Sequence, residues 1–112
     1  MDEAGFVYSR YADDLHVSLD VAKSLVEARL SFCGGKSYPL LVDLTKIKST
    51  SKRAREYLAS IGMIQVKAAA IVTGSPTRKI LGNIFLAIDK PPVPTKIFTN
   101  EAIAREWLRQ YV

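Results

Sequence analysis

The most constraining feature of this sequence is residues 67–99, KAAAIVTGSPTRKILGNIFLAIDKPPVPTKIFT, which read as a complete strand–helix–strand unit. Residues 67–73 are apolar apart from their ends, the pattern of a strand buried on both faces of a sheet. Gly74-Ser75-Pro76 stops that strand and starts a helix. Ser75 is a good N-cap, and Pro76 at the first helical position gives up only an N–H that would lack an intrahelical acceptor. The helix is expected to run to about Ile88. Pro91-Pro92-Val93-Pro94 then forbids its continuation and forces an extended path into a second strand over residues 95–99. Two strands joined by a crossover helix pack as a right-handed parallel unit, so an α/β domain is expected.

The remaining segments fit around this unit. Residues 5–12 alternate loosely and carry Phe6, Tyr8 and Tyr11, a strand that Asp13-Asp14 ends in a turn. Ser18 caps a helix with Leu19, Ala22, Leu25, Val26, Arg29 and Leu30 at helical spacing, closed by Gly34-Gly35. Residues 38–44, YPLLVDL, form a second buried strand. In the polar, basic segment 45–51, one of Ser49, Thr50 or Ser51 is expected to cap a short helix from Lys52 to about Ile61. Ala54, Tyr57 and Leu58 face inward in it, and Gly62 ends it. A last helix starts at Thr99-Asn100-Glu101, with Ile103, Trp107, Leu108 and Tyr111 expected on its buried side. The predicted order is β-α-β-α-β-α-β-α: a mixed or mostly parallel four- to five-stranded sheet with about four helices. With 112 residues, 48% of them hydrophobic, and no long linker, residues 1–112 read as one domain.

Several chemistries have no residues to run on. Cys33 and His16 are each single, so disulfides, Cys-based metal sites and most zinc or His-base catalysis are not expected. Gly74-Ser75 lacks the G-x-S-x-G context of a nucleophile elbow, and residues 74–79 lack phosphate-loop spacing. Asp13-Asp14 reads as a turn rather than a carboxylate pair, and Asp43 as the cap of a turn rather than a base. Cys33 is expected to be a buried or half-buried thiol. Catalytic residues, metal and cofactor are therefore all expected to be absent. No run approaches a membrane span and the first residues are not a signal peptide, so a cytoplasmic protein is expected.

Charge supplies the main functional signal. Residues 1–43 carry seven acids against four bases, a balance of −3, whereas residues 44–88 carry eight bases against one acid, a balance of +7. Helix N-termini favour acids, yet two predicted helices start with Lys52, Arg53 and Arg55, and with Arg78 and Lys79. If the strands before them are parallel, both starts share the carboxyl edge of the sheet, where open α/β folds bind ligands. Ser49, Thr50, Ser51, Ser75 and Thr77 would join the five cations there in a site for an anion or an acidic partner surface. Ordinary solvated helix surfaces are the competing explanation. Nucleic acid is not the expected partner, because Tyr57 is the only aromatic between Lys46 and Lys79, the span of the eight bases, and offers no stacking platform. In the third helix, Ile80, Leu81, Ile84, Phe85 and Ile88 read as a core stripe. Leu86 and Ala87 add apolar surface beyond it, which a lipid-facing or self-associating surface would use.

The chain resembles the STAS/SpoIIAA-like domains, the superfamily of anti-sigma-factor antagonists. Asp43-Leu44-Thr45-Lys46-Ile47 is similar to that family's D-L-[ST]-x-[VI] turn between strand and helix. DVAKSLVEARL, GGKSYPLLVDL, AREYLAS, GSPTRKILGNIFL and KPPVPTKIFTNEAIAREWL resemble small uncharacterised bacterial STAS-like proteins, from about Phe6 to Tyr111. The resemblance implies a non-enzymatic regulatory module with a protein partner. In the family, a serine after an aspartate at this helix start is phosphorylated; the corresponding positions here are Ser49, Thr50 and Ser51, without the aspartate. Those domains also have an earlier strand for which residues 1–5 leave no room. The strand at residues 6–11 is thus expected to be an exposed edge, which a homodimer would cover. Lipid-binding domains of the Sec14 type share a related layout, so the alternative is a carrier or sensor of an anionic or lipid-like ligand. A cavity of roughly 300 Å³ or more under the two helix starts would favour that alternative.

Overall fold

A computed structural model of the protein describes residues 5–112. In chain order the elements are β1 (Val7–Arg10), β2 (His16–Val17), α1 (Leu19–Cys33), β3 (Tyr38–Asp43), β4 (Ser49–Thr50), α2 (Lys52–Ala59), β5 (Val66–Val72), α3 (Pro76–Asp89), β6 (Thr95–Phe98) and α4 (Glu101–Leu108). Single 3₁₀ turns follow α2 at Ile61–Met63 and α4 at Arg109–Tyr111. Four strands form one parallel sheet in the order β1-β3-β5-β6. Val7 pairs with Leu40, Leu41 with Ala70, and Val72 with Phe98. The register slips between Tyr38 and Leu40, where Pro39 has no N–H to give to the ladder.

Each new strand of the sheet is laid on the same side of its predecessor. Right-handed crossovers then put α1, α2 and α3 on one face and leave the other to α4. The strand alternation agrees. Leu41, Ala70 and Phe98 meet Ala104 and Leu108 of α4, whereas Leu40 and Ala69 meet Cys33 of α1. Ala68, Ala69 and Ala70 are completely buried, and these small side chains let layers close on both faces of β5. Phe6, Leu41 and Leu108 are the largest fully buried anchors on the α4 side, each stabilising by about 1.5–3 kcal/mol. Trp107 rests against them, with its ring 5.7 Å from that of Phe98 and 5.0 Å from that of Tyr111.

Local chemistry sets the helix ends. Ser18, Ser51, Ser75 and Asn100 are the N-caps, accepting from Val21, Ala54, Arg78 and Ala102 N–H groups respectively. Gly34 closes α1 in the left-handed conformation, with its N–H on the Leu30 carbonyl. Asp13-Asp14 forms the expected turn, and Cys33 is buried.

Four expectations need correction. The segment before α2 is not all loop: Ser49–Thr50 pairs in parallel with His16–Val17, a two-residue ladder too short to show as periodicity. α2 stops at Ala59 and a 3₁₀ turn carries the chain on through Gly62. In α4, Ile103 is 61% exposed and the small Ala104 takes the sheet contact, which lets the helix sit close over the alanines of β5. The core stripe of α3 is not in the core: Ile80, Leu81, Ile84 and Ile88 are all exposed, and no residue of α3 is fully buried. α3 lies over the edge strand β6, where Gly82 approaches Ile97 and the sheet ends beneath it. The expected lack of an earlier strand concerns mainly residues 1–4, outside the described residues. β1 is nevertheless an edge of the four-stranded sheet.

Gly74 ties the two strand–helix turns together. Its φ is +75°, and a Cβ added there would lie 3.0 Å from Cγ2 of Thr45 in the turn after β3. Gly74→Ala is expected to cost about 1–3 kcal/mol, from the left-handed backbone and the contact combined. Urea unfolding should show this as a lowered midpoint with an unchanged slope.

A cavity beneath two basic helix starts

β3 and β5 are adjacent and parallel, so the turns that follow them open at the same edge of the sheet. The guanidinium of Arg78, in the first turn of α3, donates to the carbonyls of Leu44 and Ile47 in the turn after β3, at 3.3 and 3.0 Å. The basic starts of α2 and α3 are thereby held side by side.

The ten residues singled out by charge and hydroxyl pattern have different employments. Ser51 and Ser75 are N-caps. Ser49 is hydrogen-bonded to Nδ1 of His16 across the β2–β4 pair. Thr50 is exposed on the same strand, and Thr77, Arg53 and Lys79 are exposed on the first turns of their helices. Lys52 makes a long surface ion pair with Glu56, at 3.8 Å. Arg55 turns inward. Its Nε lies 2.7 Å from the Asp89 carboxylate at the far end of α3, and its guanidinium stacks 3.9 Å above the Phe85 ring.

Between α2, α3 and the sheet lies a cavity of about 310 Å³, partly open to solvent. Ile71 and Ile97 line it from the sheet, Leu58 and Ala59 from α2, and Leu81, Phe85 and Leu86 from α3. Lys48, Arg55 and Arg78 supply its cations. Of the ten expected residues, Ser49, Thr50, Arg55 and Arg78 line the cavity. Ser51, Lys52, Arg53, Ser75, Thr77 and Lys79 belong to the same edge but not to its lining. The space can take an apolar body, and its cations can meet an anionic group. Among the described residues no three His, Cys, Asp or Glu side chains converge as a metal site would require. No helix of the described residues is long and apolar enough to cross a membrane.

Sequence reasoning missed Asp89, Phe85, His16 and Lys48. Asp89 carried a readable signal: an acid in the last turn of a helix opposes the helix dipole. It mirrors the misplaced Arg55 with which it pairs. The His16–Ser49 contact joins residues 33 apart through the short β2–β4 ladder and had no local signature.

On the opposite face of the sheet edge, Asp43 accepts from the Thr45 N–H at 2.9 Å, the Thr45 hydroxyl at 2.7 Å and the Tyr8 hydroxyl at 3.1 Å. This is the turn-capping role expected of it. Burial alone would raise its pKa, but those bonds and the charge of Arg10 outweigh that and hold the carboxyl below the usual carboxylate range. Tyr8 is pushed up to about 12 by burial and by the Asp43 carboxylate. Tyr11, which lines the cavity, is pushed up to about 12 by burial against the opposing charge of Arg29. Both phenols are neutral at physiological pH.

A stepwise parallel sheet with α4 alone on one face, and a D-L-T turn at its carboxyl edge, defines a SpoIIAA-like fold. The structure of an uncharacterised protein of the DUF3478 family with a SpoIIAA-like fold, from Shewanella loihica PV-4, superposes with a TM-score of 0.61. The match covers 91% of this chain and 78% of that one at 16% sequence identity. Over residues 1–112 the chain matches the family described as Domain of unknown function (DUF7793), and it belongs to that family. None of the curated proteins compared with it matches.

Two measurements probe these contacts. The Arg55–Asp89 pair is a largely buried link between α2 and α3, so Asp89→Ala is expected to cost about 2–3 kcal/mol by stranding the guanidinium. A cycle with Arg55→Ala should give a coupling of about 1 kcal/mol or more. For Asp43, a folded pKa below the unfolded value means its stabilisation is complete above about pH 5 and lost as pH falls through the folded value. Asp43→Asn should therefore reduce stability at neutral pH and flatten the acid limb of a pH–stability profile.

Proposed function

We propose that this protein is a non-enzymatic binding domain for a small amphiphile, with an apolar body and an anionic head. In this reading residues 1–112 act as one unit in the bacterial cytoplasm. The observation that supports it best is the 310 Å³ cavity under the two basic helix starts. It falls at the lower end of the range of small-ligand sites, roughly 300–1,000 Å³. Its walls are apolar, so burial of a hydrocarbon body supplies affinity, while Lys48, Arg55 and Arg78 set the sign of the head group. A carboxylate or phosphate head would share Arg55 with Asp89 rather than meet a bare cation.

A second reading draws on the fold: a STAS-type regulatory module that docks a protein partner. Ser49 and Thr50 are exposed beside Lys52 and Arg53, so a phosphate there would sit in a cationic field. The edge strand β1 would give a second copy a place to pair. Phosphate on the protein purified from its source, with no small molecule bound, would favour this reading.

The amphiphile reading is tested by titrating a fluorescent fatty-acid probe and displacing it with an unlabelled medium-chain carboxylate. One probe per chain is expected, displaced more weakly by the matching alcohol. Ala59→Trp, which grows into the cavity from α2, should weaken the probe about tenfold or more while leaving the circular dichroism unchanged. Probe binding unaffected by Ala59→Trp would defeat the proposal.

A further inference from the structure

A second, smaller cavity of about 80 Å³ lies between α1 and the sheet. Most of its wall is apolar, with Leu25 and Val26 on the helix side and Leu40 and Val42 on the strand side. Its polar side chains are Ser9, Tyr11 and Arg29. Ser9 and Tyr11 are two residues apart along an extended chain, so both point to the face that α1 covers. All three polar groups lack partners. Arg29 uses only Nη2, which donates to the carbonyls of Gly62 at 2.8 Å and Ile64 at 3.1 Å. Its Nε and Nη1 donors have no partner among the described residues, and no carboxylate there pairs with it. The hydroxyls of Ser9 and Tyr11 likewise make no hydrogen bond among the described residues. Tyr11 is only 7% exposed, so its phenol is a donor withdrawn from water with nothing to donate to. It is near enough to Arg29 for the guanidinium charge to act on it.

Donors alone, one of them charged, ask for an acceptor that carries negative charge. Water satisfies the two hydroxyls but leaves the half-buried guanidinium without a counter-charge. Arg55 and Arg105, also half-buried, have Asp89 and Glu101 for that purpose, and Arg78 faces the larger cavity. A single cation suits a single negative charge. A phosphate or sulfate dianion would bring a second charge against leucine and valine walls with nothing to neutralise it. Size narrows the choice further: the space equals roughly two or three waters at about 30 Å³ each, so only an anion of a few heavy atoms enters. The apolar part of the wall then accepts a short alkyl group. A carboxylate with a tail of about one to three carbons meets all of these conditions.

We propose that the space between α1 and the sheet is a binding site for a short-chain carboxylate, whose oxygens accept from Arg29, Tyr11 and Ser9 while its alkyl group rests on Val26 and Val42. Arg29 stands at the rim, where its bond to the Ile64 carbonyl is exposed, so an anion arriving from solvent meets the guanidinium first. The site is separate from the larger cavity: Tyr11, Leu44, Leu58, Met63 and Ile71 border both and form the partition. Lys48, Arg55 and Arg78 lie only on the far side of that partition, so this site does not rest on the amphiphile reading.

Titration of the full chain with sodium propionate at constant ionic strength, followed by heteronuclear NMR, tests this. One saturable site is expected, with the Arg29 Nε–H signal and the Ser9 and Tyr11 amides shifting together. Inorganic phosphate should act about tenfold more weakly or less, and chloride not at all. Tyr11→Phe is the sharpest variant, because it removes a hydroxyl that has no partner in the protein. In chloride buffer its urea midpoint should be unchanged or raised. Its affinity for propionate should fall several-fold, and the rise of the midpoint with propionate should shrink accordingly. A hydroxyl kept for structure alone would show the reverse. Arg29→Gln keeps amide donors for the carbonyls but loses the charge, and should weaken propionate about tenfold or more. Ala59→Trp, which fills only the larger cavity, should bind propionate as the wild type does. Four results would overturn the proposal: no saturable shift with propionate, phosphate binding as tightly as propionate, unchanged propionate affinity in Tyr11→Phe, or loss of propionate binding in Ala59→Trp.

Discussion

The constraint on which the rest of this structure depends is the stepwise order of its sheet. Strands laid down as β1-β3-β5-β6, all parallel, have no reversal of direction, and so no crevice between diverging crossovers of the kind that holds ligands in doubly wound folds. Three crossover helices must share one face. α1 packs into that face through Ala22 and Val26, and the short α2 through Ala54. α3 is left over the edge strand with half a sheet beneath it. Both the cavity on its inner side and the bare isoleucines on its outer side follow from that position. They are two consequences of one topological fact.

A helix placed in this way cannot be held by burial alone, and the polar contacts explain why it stays. Arg78 ties its first turn to the carbonyls of Leu44 and Ile47, and Asp89 ties its last turn to Arg55. Gly82 sets the approach in the middle, because a Cβ there would already crowd Ile97 at 3.2 Å. Partly buried ion pairs add little net stability but fix geometry, since separating the partners leaves a charge without its counterpart in a poor dielectric. Clamps at both ends with a gap between them make a wall that keeps its place without filling the space under it.

Much of the fold was legible because it is written locally. Ser18, Ser51, Ser75 and Asn100 announce helix starts by a side chain that reaches only two or three residues along the chain. Residues 38–43 and 66–72 are apolar runs between turn signals, and parallel pairing follows from the helices between them. What was not legible depends on contacts distant in sequence. Periodicity in α3 shows that Ile80, Ile84 and Ile88 share a face, but not whether the sheet extends under that face. The same blindness applied to Ile103: a stripe of apolar residues names the candidates for burial, while the small residue beside them, Ala104, takes the contact. The β2–β4 ladder, with two residues on each side, carries no period at all.

The misplaced charges illustrate how a local rule can be broken for a reason that the sequence does not display. Cations at the starts of α2 and α3 oppose the helix dipoles, and this pattern first suggested an anion between them. Arg78 and Arg55 instead spend their guanidinium groups on protein acceptors, and the acid at the end of α3 is the matching anomaly. Two unfavourable placements at opposite helix ends become favourable when those ends face each other. Arg55 nevertheless remains in the cavity wall, stacked on Phe85 and paired with a single carboxylate that lines the same cavity. A guanidinium has five N–H donors, and Asp89 engages one of them through Nε. The residue that clamps the wall therefore keeps donors facing the cavity, and in the amphiphile reading proposed above the same side chain would also meet the head group.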